Sequence, residues 1–155
     1  MKINGYTLRT AIRNRETERD GAIALLSQSL RGQGGFSTEE LMVKIETCEK
    51  NIASLQAFQS RYNLEVVVAV GVEKISMAEA VKRIGGIERV SAHWRSLMSQ
   101  SSIETASVMQ GKFDSALAIE KAKKSATEAS TLRGRMSAAN SVEIEIPELE
   151  EKFIE

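Results

Sequence analysis

The chain reads as a mainly α protein: an antiparallel helical hairpin plus further helices, with a small β-sheet formed by residues about 64–70 and 142–146. Three observations carry that reading. Apolar residues recur at steps of three and four through two long N-terminal stretches. A glycine-rich break, RGQGGF, separates those stretches. Two short runs, one valine-rich and one acidic, instead alternate with period two.

The first helix is expected from Thr7 to Leu30, where Leu8, Ile12, Ile23, Leu26 and Leu30 fall at helical spacing. Its middle is polar, because Arg15 and Arg19 stand where the apolar stripe would continue. Glycines 32, 34 and 35 cost too much backbone entropy to extend the helix. Ser37 and Glu40 form a capping box for the second helix. Behind them Leu41, Ile45, Cys48, Ile52, Leu55 and Tyr62 alternate by four and three, with Gln59 interrupting, which is a heptad seam. Two long helices joined by a short glycine loop imply a hairpin over residues 1–63.

The stretch RYNLEVVVAVGVEKISMAE follows. Leu64, Val66, Val68 and Val70 alternate with Glu65, Val67 and Ala69, and β-branched residues suit a pleated strand over residues 64–72. A lone strand leaves its backbone groups unpaired, so it needs a partner. The candidate is SVEIEIP, where Val142, Ile144 and Ile146 alternate with Glu143 and Glu145 before Pro147. Helices are expected over residues 76–139, opened by a second capping box at Ser76 and Glu79. Their first stripe is Met77, Val81, Ile84, Ile87, Val90, Trp94 and Leu97. Gly85-Gly86 inside it marks a close helix approach or a kink. From 101 to 137 the pattern thins to Ile103, Phe113 and Leu117 among Ala, Ser and Lys. Residues 141–155 close the chain as a strand and an acidic tail, all within a single domain of residues 1–155.

Composition bounds the function. Apolar residues make up 42% and charged residues 27%, as in soluble globular proteins. Twenty-one basic residues balance twenty-one acidic ones, so no net field draws in nucleic acid or a membrane. The balance is uneven along the chain: the last fourteen residues carry six Glu against one Lys, and the first thirty-one lean basic. One cysteine, Cys48, rules out an internal disulfide framework and fits a reducing, cytoplasmic setting. No secretory leader and no membrane-length apolar run is visible.

No catalytic constellation stands out, and no metal or cofactor is implied. His93 is the only histidine and has no second ligand at metal spacing. The glycine clusters match neither a P-loop nor a dinucleotide fingerprint. Two groups are candidate ligand-binding residues. Arg15 and Arg19 carry guanidinium forks that bind carboxylate or phosphate at two points. They serve either an anionic ligand or structural acids, among them Glu16, Glu18, Asp20 and an acidic strand. Arg89, His93, Trp94 and Arg95 set an aromatic ring among cations, able to stack on a nucleotide or to anchor the core.

The segments MKINGYTLRTAI, RYNLEVVV, ISMAEAVKRIGGIERV and VEIEIPELEE together resemble small bacterial and phage helical proteins labelled septicolysin-like. The resemblance is one of architecture over most of the chain, implies a closing strand and helix, and carries over no catalytic residue. The functional expectation is a non-enzymatic homo-oligomer acting in assembly or binding. The alternative is a phage-type binder that sequesters a phosphorylated or nucleotide signal, an anionic small molecule, between subunits.

Overall fold

The computed structural model describes residues 1–33, 35–104, 115–149 and 153–154, with the side chains of 100–104 and 115 left aside. The fold is mainly helical with small antiparallel strand pairs: β1 (Lys2–Ile3), α1 (Gly5–Leu30), α2 (Thr38–Glu65), β2 (Val67–Val70), β3 (Glu73–Ser76), α3 (Met77–Glu104), α4 (Ser115–Ala139) and β4 (Ile144–Glu145). The chain divides into two compact units, Met1–Val66 with Asn140–Glu155, and Val67–Ala139.

The first unit is the α1–α2 hairpin closed by the chain's two ends. Asn4 starts α1, its side-chain oxygen accepting from Thr7 N at 2.9 Å and so satisfying one of the first turn's free N–H groups. Gly32, at φ 73°, ends it. The N–H of Gln33 reaches back to Gln28 O and that of Gly32 to Ser29 O, the two bonds of a Schellman cap. Ser37 Oγ accepts from Glu40 N at 3.3 Å, so the expected capping residue does open α2. Leu41, Cys48, Ile52, Leu55 and Tyr62 are buried and Ile45 is half-buried, as the heptad spacing requires. On α1 the burial falls on Leu8, Ala11 and Ala22, while Ile23 and Leu30 stay exposed.

Ile3 pairs with Ile144 and Lys2 with Glu145, and the Met1 ammonium and Ile146 O lie 3.0 Å apart. Ile3, Ile146 and Leu149 are buried beneath this ribbon. The Tyr62 hydroxyl donates to Val142 O at 2.8 Å, and Gly5 N to Asn140 O at 3.0 Å. Gly5 has no room for a side chain, since a Cβ there would lie 2.3 Å from Asn140 Oδ1 and 2.8 Å from Tyr62 Cε1. In the tail, Glu148 pairs with Arg61 at 2.9 Å and Phe153 meets Phe58 edge-on.

The expected pairing of 64–70 with 142–146 is not formed. Leu64 and Glu65 belong to α2, and β2 pairs with β3 in the register Val67↔Ser76 to Val70↔Glu73. Gly71 (φ 64°) and Val72 make the two-residue turn, with glycine at the first central position, where a positive φ matches the strand twist. A hairpin closed over two residues costs far less chain entropy than a ladder to the C-terminus. Period two still holds: Val68 and Ile75 are buried and Val67 is exposed.

In this second unit Ser76 Oγ accepts from Glu79 N at 3.1 Å at the start of α3. The α3 seam is Met77, Ala80, Ile84, Ile87, Ser91, Trp94 and Met98, with Met77, Ala80, Ile84 and Ser91 buried and the rest half-buried. Val81 and Val90, expected on that stripe, are about half exposed. On α4 the seam is Ala118, Ala122, Ser125, Ala129, Leu132, Met136 and Ala139, again alternating by four and three. Gly85 and Gly86 do not mediate a close approach: a Cβ at Gly86 would meet nothing within 4 Å, and at Gly85 only the Arg89 side chain. Of the other expected anchors, Leu117 is exposed, and Phe113 and the Ile103 side chain lie outside the described residues.

Candidate functional site

The two arginines in the polar middle of α1 are held by acids. Arg15 Nη1 lies 3.1 and 3.0 Å from the two carboxylate oxygens of Glu18, one turn on. Arg19 donates from Nε and Nη2 to Asp20 Oδ1 at 2.9 and 2.8 Å. Its Nη1 crosses to Glu49 on α2 at 3.0 Å. The hydrogen bonds to Asp20 and then Glu49 raise the Arg19 pKa above its already high ordinary value. Cys48 stands 3.9 Å from Glu18 Oε2 and is buried, and burial first, with the Glu18 charge second, pushes its thiol up. A raised thiol pKa keeps the group protonated and poorly nucleophilic. The acid from across the seam is Glu49 of α2 rather than a residue of an acidic strand.

The second group does not converge. Arg89 and His93 are exposed, one turn apart on α3 and on the side away from the seam. Trp94 is half-buried in the seam, its ring edge-on to His93 with centroids 6.4 Å apart. Arg95 folds back along its own helix, donating from Nε to Ser91 O at 3.4 Å and from Nη2 to Ser91 Oγ at 3.3 Å. Among the described residues no cation stacks on the Trp94 face.

Arg95 instead belongs to a groove between α3 and α4, of about 300 Å³, lined by Ser91, Arg95, Met98, Ile119, Ala122, Lys123 and Ala126. Ala122, a small residue of the seam, and Ala126, exposed at the edge, make the recess and leave Met98 and Ile119 as its walls. Ser91 is buried and its hydroxyl donates to Ala122 O at 3.4 Å, tying the floor together. Arg95 and Lys123 stand on opposite helices, and among the described residues neither is paired to a carboxylate. Elsewhere in this unit Arg83 and Arg133 are paired to carboxylates, and Arg135 donates to Ala69 O at 3.1 Å. Arg83 grips Glu73 through two bonds of 2.9 and 2.8 Å and Glu79 at 2.7 Å, and Arg133 meets Glu88. The hydrogen bonds from Arg83 hold the Glu73 carboxyl below its usual range.

Among the described residues no group of His, Cys, Asp and Glu is placed to hold a metal ion, and no helix is long and apolar enough to cross a membrane. Lys123 carries no signal of its own in the sequence, because its neighbours are alanines and lysines. The available signal was the alternation of small residues from Ala118 to Ala139, visible only once Ala and Ser are allowed as seam residues. No family model, curated protein or solved structure matches this chain.

Proposed function

We propose that the protein is a non-enzymatic, self-associating helical protein whose role is assembly or binding. The observation that carries this is the set of large apolar side chains left outside around the turn of the α1–α2 hairpin. Leu30 is 73% exposed, Phe36 50%, Met42 51% and Val43 58%. Single exposed apolar residues are ordinary, but a group of them at one end of a hairpin is the kind of surface another chain covers. A second copy of this chain fits best, since matched apolar surfaces build the commonest closed oligomers. The test is solution mass by light scattering across a dilution series. The intact chain should exceed one subunit's mass, and a Leu30→Glu, Phe36→Glu variant should fall to it with an unchanged helical spectrum. A monomeric intact chain at the highest soluble concentration would overturn the reading.

A second reading, the binding of an anionic small molecule, is favoured by one observation: the groove flanked by Arg95 and Lys123, with no carboxylate on either among the described residues. Arg15 and Arg19 do not support it, because their forks are occupied by Glu18, Asp20 and Glu49.

A further inference from the structure

From the lining of the α3–α4 groove we infer that it binds an amphipathic anion, a carboxylate or phosphate head on a short apolar chain. The inference rests on the second reading above and narrows its ligand class away from nucleotides.

Size sets the first limit. About 300 Å³ is at the lower end of small-molecule pockets, which run from ~300 to ~1,000 Å³. At ~30 Å³ per water-sized group it holds on the order of ten such groups. A nucleoside monophosphate has about twice that many non-hydrogen atoms, whereas a medium-chain carboxylate comes close to it. Polarity sets the second. The walls and floor are Met98, Ile119, Ala122 and Ala126, and the one buried hydroxyl, Ser91, already donates to Ala122 O and accepts from Arg95. A nucleobase buried here would leave its ring nitrogens and exocyclic groups without partners, and such groups are costly to bury. An alkyl chain needs none.

Charge fixes the head. Arg95 offers a planar fork and Lys123 a point charge from the facing helix, the pair of donors that suits a carboxylate or phosphate oxygen set. Lys121 and Lys124 add positive charge beside Lys123 on α4, opposed there by Glu120. Both bonds that hold the guanidinium to Ser91 are long, 3.4 Å from Nε and 3.3 Å from Nη2, so turning it toward a ligand gives up only weak contacts.

The full chain should be titrated by calorimetry with sodium decanoate, decyl phosphate, decanol, adenosine monophosphate and inorganic phosphate. Decanoate and decyl phosphate should each bind one per chain, with decanol weaker by at least about tenfold, the value of one or two charge-assisted bonds. The ratio of the two anions tells whether carboxylate or phosphate is preferred. Arg95→Gln with Lys123→Gln should lower decanoate affinity by a similar factor. Ala126→Phe, at an exposed position on the groove's edge, should block binding while the melting curve stays that of the parent. The only tryptophan, Trp94, lies one residue from Arg95 and gives a fluorescence readout of the same titration.

Decanol binding as tightly as decanoate would overturn the anionic head, and decanoate binding undiminished in Ala126→Phe would overturn the groove. If adenosine monophosphate binds and the amphiphiles do not, the inference fails while the anion-binding reading stands. If nothing binds, both fail.

Discussion

Gly5→Ala tests the packing beneath the closing ribbon with a single methyl group. Gly5 begins α1, and its Cα faces Asn140 and the Tyr62 ring. Two effects oppose each other. Alanine is the better helix former by up to ~1 kcal/mol in a helix interior, and by less at a first position such as this one. The added Cβ would sit 2.3 Å from Asn140 Oδ1 and 2.8 Å from Tyr62 Cε1, both well inside contact distance. The Tyr62 ring does not move cheaply, and the Asn140 side chain, though its Oδ1 has no hydrogen-bond partner, is closely enclosed. Tyr62 is fully buried and pinned through its hydroxyl to Val142 O, and Asn140 is 5% exposed with its backbone oxygen bonded to Gly5 N. Overpacking of this kind costs ~1–3 kcal/mol, so clash wins and the net loss is about 1–2 kcal/mol. If the whole chain unfolds as one, the melting temperature should fall by ~2–4 °C per kcal/mol, and by more if the first unit melts alone. Gly21→Ala is the matched control: it lies in α1 with nothing within 4 Å of a new Cβ, and should raise stability by ~0.5–1 kcal/mol. Both are read by circular dichroism melts. A Gly5→Ala chain that melts with or above the parent would refute the packing described for Gly5, Tyr62 and Asn140.

Arg15→Leu with Arg19→Leu should leave the melting temperature unchanged or higher, because the two side chains continue the apolar stripe and the acids left behind stay largely solvated. A loss of ~3–5 kcal/mol in urea titration, the cost of breaking a buried pair, would show those arginines to be structurally required. Cys48 should resist a thiol reagent at neutral pH and react only as the first unit opens, since it is buried and its pKa is raised. Labelling at the rate of a free thiol in native buffer would contradict that placement. Burial also pushes the Tyr62 phenol up, so the folded chain keeps its proton where the unfolded chain gives it up. Stability from this group is therefore whole below pH ~10 and declines as pH rises past it, a slope that Tyr62→Phe should reduce in urea midpoints taken at alkaline pH.

The hairpin seam and both capping serines were legible because each rests on local spacing: Leu41 to Tyr62 in heptad steps, Ser37 and Ser76 three residues before a glutamate. The strand partner was not. Ser76 carries both a cap and the last rung of β3, and EKIS between a glycine turn and a helix is too short to announce itself. The two-residue strand Lys2–Ile3 carries even less pattern. On α3 the large apolar residues Val81 and Val90 suggest the buried stripe, while Ala80 and Ser91 fill the buried positions. The site suffered the same way. Glu49 lies thirty residues from Arg19, and Lys123 faces Arg95 only through the pairing of two helices, which no local spacing encodes.

The ribbon that joins residue 1 to residue 146 also governs the order in which the first unit can assemble. Arg19 and Glu49 are separated by 30 residues, whereas the Met1 ammonium and Ile146 O are separated by 145. That is a little over two doublings of loop length, or roughly 1.3 kcal/mol of additional closure entropy at ~0.6 per doubling. Val67–Ala139 lies wholly inside that loop and contains the β2–β3 hairpin. Its collapse first would shorten the span left to close. Burial of Ile3, Ile146 and Leu149 would then be the slow final step, and substitutions there should speed unfolding while leaving the folding rate nearly untouched.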